Sequence, residues 1–87
     1  GGRFLHYLPR DGVYVYFRDD GKQRLMIVLG RNDKTVELPL VRFAEGLKGA
    51  TGARNALTRT PVALGKTMTV PAHAALVLDL CTSSRPC

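Results

Sequence analysis

The chain is expected to be all-β: a small antiparallel β-sandwich, Greek-key-like, with six to eight strands and one short helix. Three observations lead there. Short apolar runs recur along the chain with side chains alternating at period two, Gly, Pro, Asp and Asn separate them, and only one stretch has helical spacing. At 87 residues the chain is one domain, and a domain of this size buries only roughly 60 to 65% of the surface its unfolded chain exposes. Its core is thin.

The fold is organised around Val13 to Phe17 and Leu25 to Leu29, joined by the polar segment Arg18 to Arg24. Both runs are strand-like, and Asp20-Gly21 between them is a hairpin turn signal. Leu25 to Leu29 is apolar without interruption, which places it mid-sheet with partners on both sides. Upstream, Arg3 to Leu8 alternates, with Phe4, His6 and Leu8 on one face and Leu5 and Tyr7 on the other, and Pro9 is expected to end this edge strand. Downstream, Thr35 to Leu38 puts Val36 and Leu38 inward. Leu40, Phe43, Ala44 and Leu47 follow the i, i+3, i+4, i+7 pattern, which predicts a short helix over Val41 to Leu47. Lys48 to Arg59, rich in Gly, Ala and Thr, reads as a loop. Strands are expected at Val62 to Leu64, at Thr67 to Val70 and finally at Ala74 to Leu80, with Leu76, Leu78 and Leu80 sharing a face.

The charge balance is basic, with thirteen Lys and Arg against seven Asp and Glu. Those cations are spaced almost evenly, whereas a surface that tracks phosphates gathers them on one face, so no nucleic-acid partner is expected. No apolar run approaches the ~20 residues of a membrane-spanning helix, and no membrane partner is expected. The chain starts at Gly-Gly-Arg without an initiator Met and leads straight into a strand, the expectation for a piece of a longer protein.

Residues that could carry chemistry are few. His6 and His73 each stand without Cys, Asp or Glu at ligand spacing, so structural roles are expected and no metal or cofactor. Gly65-Lys66-Thr67 looks like the end of a phosphate-binding loop, but Thr60 stands where the upstream Gly belongs and a strand follows instead of a helix. Cys81 and Cys87 lie in CTSSRPC after the last apolar run; an oxidising compartment would let them close a small loop, and a frayed tail with two inert thiols is the expectation. The aromatic residues are the remaining candidates. Period two sets Val13, Val15 and Phe17 against Tyr14, Tyr16 and Arg18, and the tyrosine face suits either a sugar ring or a covering domain. With no Trp in the chain, the covering domain is favoured.

The string HYLPRDGVYVYFRDDGKQRLMIVLGRNDKTVELPLVRF, with LVLDL near the end, resembles the C-terminal β-domain of cyclomaltodextrinases and neopullulanases, members of the α-amylase superfamily of glycoside hydrolases. The resemblance runs from about Gly2 to Leu80, strongest at His6 to Pro9, Asp11 to Arg18, Met26 to Leu29 with Asn32 and Lys34, and Arg42-Phe43. Asn55, Arg59 and Val41 depart from the family pattern, and the tail 81–87 lies beyond it, so the domain is taken as 1–80.

The resemblance implies a module following a catalytic (β/α)₈ barrel whose three carboxylates cleave α-1,4-glucosidic bonds with retention. None of those positions exists in this chain, which is expected to be non-catalytic and to have the barrel of the same polypeptide as its partner. An accessory module that binds maltooligosaccharide is the alternative. Tyr7, Tyr14, Tyr16 and Phe43 are the candidates for contact with sugar or with the barrel. The terminal cysteines tilt the expected compartment toward a bacterial periplasmic or secreted one over a cytoplasmic one.

Overall fold

The computed structural model describes residues 3–87, with the side chains from Phe4 onward. Eight strands follow in order: β1 (Arg3–Arg10), β2 (Val13–Asp19), β3 (Arg24–Gly30), β4 (Val36–Pro39), β5 (Ala50–Asn55), β6 (Pro61–Val62), β7 (Thr67–Val70) and β8 (Ala75–Thr82). All pairings are antiparallel. A six-stranded sheet has the order β1-β2-β3-β8-β5-β6, and β4 pairs with β7 in a two-stranded sheet. The chain is thus a small antiparallel β-sandwich, with β3 between β2 and β8 as its unbroken apolar run requires.

The β2–β3 turn is built from its own side chains. Asp19 Oδ1 accepts the Gly21 N–H at 2.9 Å, while Asp20 Oδ1 accepts those of Lys22 and Gln23 at 2.9 and 2.8 Å. Gly21 takes φ +86°, open only to a residue without a Cβ at little cost. The register that this turn sets pairs Phe17 with Met26 and Val15 with Val28, so four core residues share one face.

The core lies between that face and the small sheet. Val13, Val15, Phe17, Met26, Val28, Ala53, Leu78 and Leu80 come from the large sheet, and Leu38, Met68 and Val70 from the small one. Leu40 and Phe43 close one end, and Phe43 is fully buried. Each of these side chains larger than alanine contributes about 1.5–3 kcal/mol through removal from water.

Several local expectations are corrected. The helix placed over Val41 to Leu47 is a single 3₁₀ turn, Leu40–Phe43. Its buried residues, Leu40 and Phe43, are three apart and so suit three residues per turn; Ala44, which an α-helical face would bury, is exposed. The loop expected over Lys48 to Arg59 contains β5, an ordinary member of the large sheet next to β8. Pro9 does not end β1, which continues to Arg10 across an irregularity in its pairing with β2. An edge strand tolerates the missing N–H. The strand expected at Val62 to Leu64 is confined to Pro61–Val62.

The C-terminus is the largest correction. β8 runs past Leu80 to Thr82, and Cys81 is buried and disulfide-bonded to Cys87, with Cα atoms 5.2 Å apart. Thr82 and Arg85 exchange backbone hydrogen bonds of 2.9 and 3.2 Å, forming a tight turn that brings Cys87 back over Gly52 of β5. The two thiols are therefore not free, and 81–87 is a stapled extension of the sheet.

Candidate functional site

One face of the large sheet is occupied by the core, and alternation delivers the other residues to the opposite face. That outer face carries Phe4 and His6 from β1, Tyr14, Tyr16 and Arg18 from β2, Leu25, Ile27 and Leu29 from β3, and Ala75, Val77 and Asp79 from β8. The registers align them in rows. His6, Tyr16, Ile27 and Val77 form the central one, Tyr14, Leu29 and Ala75 flank it on one side, and Phe4, Arg18, Leu25 and Asp79 on the other.

The aromatic residues of this face touch. The Phe4 and His6 ring centroids are 4.6 Å apart, and Tyr16 stacks against His6 at 5.5 Å and against Phe4 at 5.6 Å. Arg31 sets its guanidinium 5.9 Å from the Tyr14 ring centroid, within cation–π reach. Phe4 remains 57% exposed and Tyr14 44%, while Tyr16, Leu25, Ile27, Leu29 and Val77 are half-buried by their neighbours alone. Beyond β8 the disulfide-bonded tail lies over β5, which marks one margin of the apolar surface.

The four predicted contact residues divide into two pairs. Tyr14 and Tyr16 stand on the outer face. Tyr7 and Phe43 are on the core side: Phe43 meets Tyr7 edge-on at 4.8 Å, and Tyr7 meets Phe17 at 5.8 Å. The Tyr7 hydroxyl accepts the Gly46 N–H at 3.3 Å, so its polar end is occupied by the backbone that follows the 3₁₀ turn. Arg42 lies 5.2 Å from the Phe43 ring centroid and donates to the Leu8 carbonyl, fastening that turn to β1. A fully buried ring cannot meet a ligand, which leaves Phe43 a packing role.

His6 is part of the outer aromatic cluster, and His73 pairs through Nε2 with Asp33 Oδ1 at 2.9 Å on the exposed surface. Several carboxylates serve local structure. Glu37 accepts the hydroxyls of Thr67 at 3.3 Å and Thr69 at 2.7 Å across the small sheet, and Asp19 faces Arg24 at 3.6 Å. The Gln23 and Lys22 backbone N–H groups hold Asp20 below the usual carboxylate range. Glycoside hydrolysis asks for a carboxyl raised into the proton-donating range beside a second carboxylate; Asp20 is shifted the opposite way. No group of three or more potential metal ligands occurs among the described residues.

Phe4, Ile27 and Val77 belong to this face and were not singled out from sequence. The signal for Ile27 was present in the uninterrupted run Leu25 to Leu29: a strand apolar on both sides needs cover on both sides, and the small sheet covers only one.

The model of the cyclo-malto-dextrinase C-terminal domain family matches residues 4–79, nearly the whole chain. The chain belongs to that family. As a cyclo-malto-dextrinase C-terminal domain it is an accessory domain of the kind found in glycoside-hydrolase-type proteins. Among solved structures it is similar to a beta-galactosidase from Bacillus circulans sp. alkalophilus, at 23% identity and a TM-score of 0.60 over 88% of this chain and 10% of that one. It is also similar to alpha-galactosidase I from Mortierella vinacea, at 13% identity and a TM-score of 0.62 over 94% of this chain and 24% of that one. At these identities the likeness is one of fold, and the cyclo-malto-dextrinase C-terminal domain spans a minor part of the length of either protein.

Proposed function

We propose that this chain is the non-catalytic C-terminal domain of a retaining glycoside hydrolase acting on α-1,4-glucans or cyclomaltodextrins, and that it packs on and stabilises the catalytic (β/α)₈ barrel. The observation that carries this reading is β3, whose residues are apolar on both sides while only one side is covered. An exposed apolar sheet face on a domain of this family is what a module made to rest on a neighbour presents. The test is truncation of the polypeptide that contains this chain. The form ended before Phe4 should retain hydrolysis of cyclomaltodextrin at low temperature and lose it faster on heating, and the 87-residue chain alone should hydrolyse nothing. Equal heat resistance of the two forms would overturn the stabilising role, and absence of α-glucan hydrolysis from the full polypeptide would overturn the assignment of the parent.

A second reading, binding of maltooligosaccharide, has one observation in its favour: the contacting rings of Phe4, His6 and Tyr16 with Tyr14 beside them. Titration with maltoheptaose at millimolar concentration, followed on the Tyr14 and Tyr16 ring resonances, separates the readings. Shifts of those rings support sugar binding, and their absence removes it.

The disulfide supports an oxidising compartment, periplasmic or secreted, because reduced cytoplasm disfavours such bonds. Alkylation of the protein on extraction from its native host should leave both cysteines unlabelled; labelling of either contradicts export.

A further inference from the structure

From the geometry of the outer face we infer which surface meets the catalytic domain and what chemistry lies opposite: the row Tyr16, Ile27 and Val77 is the centre of the interface, and the occupant is an apolar patch with an acidic rim on the catalytic domain of the same polypeptide. The inference rests on the function proposed above and deepens it.

Size selects a tethered partner. The patch spans four strands spaced about 4.8 Å apart and three rows about 7 Å apart. With side-chain margins this gives a footprint on the order of 400 Å² per partner, or roughly 800 Å² in total, inside the range of inter-domain contacts within one chain. Free partners that associate stably bury about 1,200–2,000 Å². A contact this small suffices when the linkage itself supplies a high effective concentration, and the family's C-terminal position supplies that linkage. In the proposed arrangement the catalytic domain joins through β1, the edge strand, which carries Phe4 and His6 on the same face.

Charge selects against a second copy of the chain. Arg18 is exposed beside the central row, Arg31 lies over Tyr14, and Arg54 stands opposite Asp79 on β5. Among the described residues, Arg18 and Arg31 would meet their own kind in a symmetric pair, whereas Asp79 already faces Arg54, and the chain carries +6 overall. Carboxylates at the rim of the facing surface satisfy them instead. The margin over β5 is closed by the stapled tail, which confines the contact to the β1-β2-β3-β8 part of the sheet.

The test is made in the full polypeptide with limited proteolysis of the junction before Phe4, comparing Ile27→Asp with Val41→Asp, whose position is 82% exposed within the 3₁₀ turn. Ile27→Asp should release the domain at least tenfold faster, with Val41→Asp at the wild-type rate. If only Val41→Asp accelerates release, the face is wrong while the domain assignment stands. If the wild-type junction is cleaved as fast as in Ile27→Asp, the packing itself fails. Hydroxyl-radical footprinting of the wild type guards against a misfolded variant: Tyr14 and Tyr16 should oxidise severalfold more slowly in the full polypeptide than in the 87-residue chain, and equal rates overturn the inference. Concentration-dependent dimerisation of the 87-residue chain in sedimentation, abolished by Ile27→Asp, would assign the face to a second copy and also overturn it.

Discussion

Phe43 and Gly46 hold the closed end of the sandwich, and each tolerates little change. Truncating Phe43 to Ala empties a fully buried site, and a loss of about 3–5 kcal/mol is expected, seen as a large drop in the urea midpoint. A Cβ added at Gly46 would sit 2.5 Å from the Phe17 ring, so Gly46→Ala is expected to lose roughly 1–3 kcal/mol through overpacking. Tyr7→Phe removes the acceptor for the Gly46 N–H, a loss of about 1 kcal/mol. A midpoint unchanged in any of the three would mean that this corner is loosely packed. Asp20 gives the residue scale its pH dependence. Its folded pKa is lowered from the ordinary 3.8, so its contribution is present above that value and is lost as pH falls through the lower, folded value. In Asp20→Asn the amide oxygen keeps the turn's acceptor while the charge is gone, and the acid limb of melting temperature against pH should flatten below about pH 4.

Among the elements, legibility followed side-chain pattern. β2, β3, β4, β7 and β8 are visible in sequence because their apolar residues alternate or run together, and their inward sets are those the pattern assigns. β5 was not, since Ala53 is its one fully buried residue and backbone pairing with β8 supplies the rest. The 3₁₀ turn was misread because Leu40 and Phe43 fit both helical periods, and exposed Ala44 is the position that separates them. The staple was open in sequence as a small loop and set below a frayed tail, because nothing there shows that β8 continues or that the turn at Thr82 and Arg85 returns the chain. Cutting that staple has a measurable consequence. In Cys87→Ser the unfolded chain regains the freedom of a short loop, and a loss of roughly 2 kcal/mol is expected, which lowers the melting temperature by about 10 °C. A variant that melts with the wild type would make the staple a bystander.

At the scale of the whole molecule, the small sheet and the 3₁₀ turn cover one side of the large sheet and leave an aromatic and aliphatic surface on the other. Tyr14 and Tyr16 could be assigned to one face by parity alone, but their separation from Tyr7 and Phe43 could not, because Tyr7 sits on a different strand and Phe43 on a turn. Sequence identifies faces within a strand, and only the fold decides which faces of different strands coincide. On the function proposed above, the surface so assembled accounts for a thin core in a domain of the cyclo-malto-dextrinase C-terminal type, because contact with a neighbour would supply part of its stabilisation. Calorimetry of the full polypeptide, with the 87-residue chain as reference, tests that claim most directly. The expected result is that this domain melts together with the catalytic domain in one coupled transition, well above the midpoint of the chain alone. A separate transition in the full polypeptide at the temperature where the isolated chain melts would contradict it.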